Sequence, residues 1–554
     1  MRLRLSVAYG LILGSFMAGP AFAVEPGAPE SLITRTDAVR ILVQDRLAQP
    51  FKKKSKYETA EHGALVAYYA EGGKMLWVDE NGLKPKANLV IGELTRAADY
   101  GLNPDDYDLP GEIVLSSSEI TPTARLAEFE LKMSHAALAY ARHARGGRKA
   151  PQEITYNLDP TLDLPESATV MERMAVLDDP ASYLRNFNPK HPQFEALRQV
   201  LLKMRGGATE EKRVIIPNGP TLRPGSTHEQ IKLVRERLKV PVPVKNGVPL
   251  FPADVYDTEL EMAVKAFQKK RGLAAEGLVG PRTRRALNGG SVPKNRVKTI
   301  LANMERWRWV PYNPGKLKVQ VNIPEFRYRV YDGEKVITDA RVVVGKPRNQ
   351  TPVFSDTMKY LVFNPYWNVP NSIKREKIIP YLNSGGGGWF RSSSRPRILE
   401  TQNMYISYRG KNIDATRVNW NKVNIGLYRF YQMPGPKNAL GAVKFMFPNK
   451  HIVYLHDTPT KSLFDKTVRA YSYGCVRLRN PRKLAEILLS RDRGWSSGNI
   501  RAAFKSKKNQ RVNLKTPVPV NITYFTARVE KSGKVTYFSD IYGHDTRMAR
   551  ALKL

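Results

Sequence analysis

Cysteine is nearly absent. Cys475 is the single one in 554 residues, so no intramolecular disulfide can form. Acidic residues are in deficit, 51 Asp+Glu against 89 Lys+Arg, for a formal net charge of +38. After the N-terminus no segment holds the roughly 18 consecutive apolar residues that a membrane-spanning helix needs. No His, Cys, Asp and Glu cluster has metal-ligand spacing, and no glycine-rich loop could cradle a phosphate. Neither a metal nor a cofactor is expected.

The first residues read as a secretory signal. Arg2 and Arg4 are followed by a short apolar stretch, residues 7–18, and by the cleavage pattern Ala21-Phe22-Ala23. Export makes an unpaired thiol more telling, because oxidising compartments favour paired cysteines or none. Export also argues against nucleic acid as the partner of so basic a chain, and leaves an anionic cell envelope as the better one. Hydrophobic residues make up 42% and charged residues 25%, which suits globular domains, and the length suggests about two to four of them.

Residues 24–220 form the first unit. Apolar residues at helical spacing over 38–48, 87–100 and 126–144 predict helices, and Gly146-Gly147 with Pro151 predicts a helix end. His62, His135, His143 and His191 read as scattered structural or surface histidines without partners, and the unit reads as a scaffold. A compact unit follows at 226–288, with Ser226 as a helix cap and Glu229 three positions on. From residue 297 the composition turns to strands, at 317–322, 327–331, 336–344, 358–363 and 451–455. Asp332-Gly333 is a hairpin signal. Helices are expected near 374–381 and 482–490. Residues 383–445, rich in Gly, Trp and Tyr, read as an irregular lid. The tail, 501–554, adds strands at 520–525 and 534–538 that would complete the domain of residues 297–500.

The compact unit resembles the three-helix peptidoglycan-binding module of cell-wall hydrolases. The resemblance rests on Ala263-Val264, Phe267-Gln268, Gly272-Leu273, Glu276-Gly277, Val279-Gly280 and Thr283. It implies binding to wall glycan, with a spacer that kept the fold as the alternative. Residues 240–249 are an insertion in that pattern.

Chemistry concentrates at Cys475. Gly474 before it permits a tight turn, and the amides of Gly474 and Cys475 could face a developing oxyanion. Arg477 supplies positive potential. His456, at the end of the expected 451–455 strand, is a candidate base, and a His-activated thiol performs acyl transfer. His451, five residues before His456, falls on the opposite face of that strand and reads as structural.

These residues resemble the L,D-transpeptidases, in particular their large Gram-negative branch. The matching motifs are Leu455-His456-Asp457-Thr458-Pro459 and Ser472-Tyr473-Gly474-Cys475-Val476-Arg477. The blocks Val343–Pro347, Gln350–Pro352, Phe363–Pro370, Pro434–Gly441 with Lys444-Phe445, and Asp540–Asp545 accompany them. Tyr473 departs from the pattern, since many relatives carry His there. The resemblance implies a multidomain α+β chain: a helical scaffold, the small binding module and a β-rich catalytic domain with a lid. It also implies periplasmic location and wall-peptide donors. Cys475 would attack the L-centre carbonyl of the third stem residue, and an amine from a neighbouring stem would resolve the thioester into a 3→3 cross-link, with His456 moving the proton. Tyr454 would polarise the carbonyl, Ser472 would support the turn, Arg477 would orient the loop or a stem carboxylate, and Trp367 and Asn368 would line the donor groove. Water or a protein as acceptor would make the enzyme an L,D-carboxypeptidase or an attachment enzyme. A non-enzymatic wall-binding scaffold is the reading from another class, and the intact His456 and Cys475 argue against it. Partners are stem peptides and glycan, with other envelope proteins at the scaffold.

Overall fold

The computed structural model describes residues 33–51, 55–110, 122–206, 214–270, 273–288, 294–311, 315–383 and 397–554. The signal sequence, Gly272, Gly385 to Gly388 and Trp389 lie outside the described residues. Within them no helix is long and apolar enough to cross a membrane.

The N-terminal part is helical. Arg35–Ala48, Lys56–Ala70 and Thr123–Gly146 pack with Pro85–Thr95 and Ser167–Val176 around Val43, Leu65, Val90, Leu126 and Met171. Thr34 and Ser55 cap the first two helices by accepting the amides of Asp37 and Glu58. Thr123–Gly146 stops where Gly147 turns to φ +95°. The histidines of this part have ring partners, contrary to the sequence reading. His62 stacks on Phe51 at 4.1 Å and faces His135 at 6.1 Å, His143 is buried beside Tyr107, and His191 stacks on Trp307 at 4.0 Å. Their neighbours are remote in sequence, so spacing along the chain did not show them.

The compact unit holds three helices, Glu229–Leu238, Thr258–Lys270 and Pro281–Asn288, around Ile231, Val234, Leu260, Val264 and Leu287. Its first cap is His228, whose Nδ1 accepts the Gln230 amide at 3.1 Å. Ser226 is not the cap, because Thr227 is drawn into a bridge with Val255. Gln268 explains the sequence pattern physically. Its Nε2 donates to the Leu278 carbonyl (2.9 Å) and to Thr283 Oγ1 (3.0 Å), and its Oε1 accepts the Gly277 amide (2.9 Å). The 240–249 insertion carries an exposed hairpin, Val244–Lys245 with Val248–Pro249.

The C-terminal part is built on one mixed sheet. Its strands are β1 (Leu317–Asn322), β2 (Arg327–Asp332), β3 (Lys335–Gly345), β4 (Phe354–Phe363), β5 (Val443–Met446), β6 (Leu455–His456), β7 (Ala470–Ser472), β8 (Val476–Leu478) and β9 (Gln510–Thr523). Their order is β7-β3-β8-β6-β5-β4-β9-β1-β2. The long β3 also pairs with β2, so the sheet closes on itself. Alternation builds the strands: Val319 and Val321 in β1, Tyr328 and Val330 in β2, and Val443 and Phe445 in β5 are fully buried. Each fully buried side chain of this size contributes about 1.5–3 kcal/mol. The helix Pro481–Arg493 covers one face through Leu484, Ala485 and Leu488, and ends at Gly494 in the left-handed region. Residues 157–159 of the N-terminal part run beside Val353 ahead of β4 and bury Leu158 in this core.

Three expectations need correction. The insertion between β4 and β5, which contains the expected lid at 383–445, is not an irregular connection among its described residues. It carries a four-stranded antiparallel sheet of Trp367–Asn368, Tyr428–Gln432, Met404–Tyr408 and Lys411–Asn412, with its own core of Val369, Ile406, Trp420 and Phe430. It gives way to the main sheet at Val443. The expected strand at 451–455 shrinks to Leu455–His456, because Ile452 sits at φ +56° and interrupts it. The last tail strand, Val535–Tyr537, pairs with Ala527–Val529 apart from the main sheet, on the cluster of Phe194, Leu197 and Trp307.

Candidate active site

The site forms where β5, β6 and β8 run side by side. Leu455 lies opposite Val476 and His456 opposite Arg477 in the parallel β6–β8 pair, while Lys444 lies opposite His456 in the antiparallel β5–β6 pair. Leu455 and Val476 fill the core. By alternation His456, Arg477 and Lys444 lie on the other face. Cys475 and Tyr454 directly precede the paired residues; the Tyr454 ring lies 5.6 Å from that of His456, and its phenol hydrogen-bonds to Cys475.

Gly474 has φ +111°, a conformation that L side chains rarely adopt. Three hydrogen bonds fix this turn. Ser472 is buried, accepts the Gly474 amide at 3.2 Å and donates to the Cys475 carbonyl at 2.5 Å. Thr351 Oγ1 donates to the Gly474 carbonyl at 2.7 Å and accepts the Gly345 amide at 2.9 Å. The Gly474 amide, expected to face an oxyanion, is directed at Ser472 Oγ here.

Cys475 is half-buried. Its thiol reaches the Ile452 carbonyl at 3.8 Å. Burial pushes the thiol up from its ordinary value, while hydrogen bonds from the Tyr454 backbone and phenol and the charges of Arg477 and Lys444 act in the other direction. Burial raises the Tyr454 phenol as well, which keeps it a protonated donor.

His456 is buried and its Nδ1 lies 2.5 Å from the Asp457 carbonyl. A carbonyl only accepts, so Nδ1 carries the hydrogen and Nε2 keeps its lone pair. Burial, and then the charge of Arg477, holds this histidine down at about 3, so it is neutral near pH 7. Asp457 fixes the neighbouring turn: its Oδ2 accepts the Ala442 amide at 2.9 Å and its Oδ1 pairs with Lys461. Gly441 at φ +62° is packed so tightly on this carboxylate that a Cβ would strike it at 2.4 Å.

His451 is occupied elsewhere: its Nε2 lies 2.7 Å from Asp159 Oδ2. The strand-parity argument for it fails, since residues 451–454 form no strand. Trp367 and Asn368 form the edge of the insertion's sheet. Trp367 packs on the insertion's core, and Asn368 Oδ1 accepts from Arg429 at 2.8 Å. Neither has a contact with Cys475 or His456 among the described hydrogen bonds. Tyr473 lies under Lys346 Nζ at 3.9 Å, and Lys346 also meets Glu376 of the insertion at 3.1 Å.

Sequence reasoning did not place Thr351, Tyr542 or Lys444 in the site. Tyr542 supports Thr351 from the tail: its phenol donates to the Gly345 carbonyl and accepts the Thr351 amide. Thr351, Tyr542 and Lys444 all lie within motif blocks that carried the resemblance, the only signal that pointed to them.

Comparison with known proteins agrees with this architecture. A scaffold domain model matches residues 63–201, a "Putative peptidoglycan binding domain" matches 244–287, and an L,D-transpeptidase catalytic domain matches 316–520. A "Putative L,D-transpeptidase" of Haemophilus influenzae is 31% identical over 261 residues, 47% of this chain and 50% of the relative. The N-acetylmuramoyl-L-alanine amidase CwlL of Bacillus licheniformis is 39% identical over 70 residues, 12% of this chain and 19% of the relative. The chain thus spans half or less of the length of these curated relatives. A solved L,D-transpeptidase from Mycobacterium smegmatis aligns over 38% of this chain and 58% of its own, at 12% identity and a TM-score of 0.17. The assignment rests on the sequence matches. The chain carries an L,D-transpeptidase catalytic domain, and a scaffold domain and a peptidoglycan-binding domain precede it.

Proposed function

We propose that this protein is an exported, periplasmic L,D-transpeptidase that joins peptidoglycan stem peptides by 3→3 cross-links through a thioester on Cys475. The observation that supports it best is the convergence of Tyr454, His456 and Cys475 on one sheet face within the matched catalytic domain.

The geometry suggests the order of events. In the resting site the thiol and the imidazole are both neutral. As Cys475 Sγ bonds to the L-centre carbonyl carbon of the donor's third residue, its proton passes to His456 Nε2. The Cys475 amide and the Tyr454 phenol are the candidate donors to the developing oxyanion. Collapse breaks the C–N bond, and the His456 proton goes to the departing terminal D-Ala amine. The amine of a neighbouring stem then attacks the thioester, gives its proton to His456 and restores the thiol. The Asp457 carbonyl holds the imidazole in the required tautomer, the part played by a carboxylate in other triads. The peptidoglycan-binding domain would hold the wall while this occurs.

Mass spectrometry of products from disaccharide-tetrapeptides tests the proposal, with Cys475→Ala and His456→Ala as controls. Cross-linked dimers are expected from the wild type only. Tripeptides without dimers would indicate a carboxypeptidase, and unchanged turnover by Cys475→Ala would overturn the mechanism.

A further inference from the structure

Two cations face the nucleophile without a carboxylate to neutralise them. Lys444 and Arg477 flank His456 on the two neighbouring strands, about 10 Å apart by strand spacing. Lys444 Nζ stands 5.7 Å from the centre of the Tyr454 ring, whose hydroxyl reaches Cys475. Arg477 Nε is buried without a hydrogen-bond partner. Among the described residues neither cation has an ion pair, and the titratable group that favours the charged form of each is the Cys475 thiol, which is neutral at rest. The nearby acid, Asp457, is committed to Lys461 and the Ala442 amide. Burial lowers the pKa of both cations, as expected for charges held out of water with no counter-charge.

An unpaired, partly buried cation costs stability, and here two are placed at one reacting centre. They serve a resting neutral thiol poorly, since a thiolate is not the ground state. They suit an anion that arrives with the substrate. We propose that Lys444 is the donor-specificity residue of this site, taking, together with Arg477, a carboxylate of the donor peptide and holding that peptide across Cys475. This rests on the transpeptidase reading above. A donor stem offers two such carboxylates: that of the terminal residue that leaves, and that of the third residue's side chain when this is a diamino dicarboxylic acid. An electroneutral donor would leave the pair unmatched.

The test uses the full chain and three donors: the free-acid disaccharide-tetrapeptide, the same donor with a C-terminal carboxamide, and the same donor amidated on the third residue's side chain. Lys444→Met is expected to raise KM for the free-acid donor by about 10- to 100-fold, the range for losing one hydrogen bond to a charged group, with a smaller change in kcat. Lys444→Arg should recover most of this. The penalty should vanish with the amidated donor that lacks the recognised carboxylate, which identifies the source. A penalty undiminished with both amidated donors would overturn the proposal. So would an equal loss in the alkylation of Cys475 by uncharged iodoacetamide, because Lys444 would then act on the sulfur alone. Calorimetric binding of the free-acid donor to Cys475→Ala, with and without Lys444→Met, separates the two readings. Weaker binding by the double variant supports the role of Lys444 whether or not cross-links form, and equal binding overturns it.

Discussion

The phenol of Tyr542 donates to the Gly345 carbonyl at 2.5 Å, tying the C-terminal tail to the strand beside Cys475. The same oxygen accepts the Thr351 amide at 3.2 Å, and Thr351 Oγ1 holds the Gly474 carbonyl. A hydrogen-bonded path thus runs from the tail to the residue before Cys475. Asp540 holds Tyr524, which in turn accepts the Tyr542 amide.

Removing one hydroxyl from this path should loosen the Gly474 turn without removing any reacting group. Tyr542→Phe is expected to lower stability by about 1–3 kcal/mol, the cost of leaving buried polar groups unsatisfied. Acylation of Cys475 should slow several-fold. Thr351→Val should do the same. Denaturant unfolding and the rate of donor acylation, read by mass, check both effects.

Ile452 combines a β-branched side chain with φ +56° and is 79% exposed. Such a residue pays strain of order 1–3 kcal/mol, and its carbonyl is the acceptor for the Cys475 thiol. Ile452→Gly is expected to raise stability by about 1 kcal/mol and to slow donor acylation, since the carbonyl loses its fixed place. Melting temperature and acylation rate, measured on one preparation, should move in opposite senses.

Acid should destabilise this protein before its carboxylates titrate. Burial depresses His456 and His544 to about 3 and His191 to about 4. The unfolded chain therefore binds more protons below about pH 6.5, and stability present above that value is lost as pH falls toward 3–4. Each histidine contributes a slope of at most about 1.4 kcal/mol per pH unit. His544 is fully buried with both ring nitrogens unpartnered. His544→Phe should flatten the dependence between pH 6 and 4, as read by urea unfolding at each pH.

Gln268 holds the binding module's last turn by three hydrogen bonds. Gln268→Ala should destabilise that module by about 2–3 kcal/mol while leaving Cys475 acylation by soluble donors unchanged. Hydrogen exchange over residues 226–270 measures the first effect and donor acylation the second.

Much of this protein was legible along the chain because the signals are local. Period-two burial gave β1 to β3 nearly residue for residue, and helical periodicity gave three of the N-terminal helices and the module. The motif blocks pointed to Cys475 and His456. Where the sequence reading failed, the deciding contact was mostly remote. The insertion's sheet depends on Trp367–Asn368 pairing with Tyr431 and Gln432, and no local pattern announces that pairing. The strand before His456 was lost to a single left-handed residue. His135 and Trp307, ring partners of His62 and His191, lie on helices far along the chain.

The sequence by itself determined the order of the parts, the single thiol, its glycine and the basic excess. Only the tertiary structure decided what surrounds the thiol. It spent the Gly474 amide on Ser472, made the Asp457 carbonyl the partner of His456, and set Lys444 beside that histidine. The last of these follows from strand register. Register brings together residues far apart in the chain, and it is fixed by burial of the opposite sheet face.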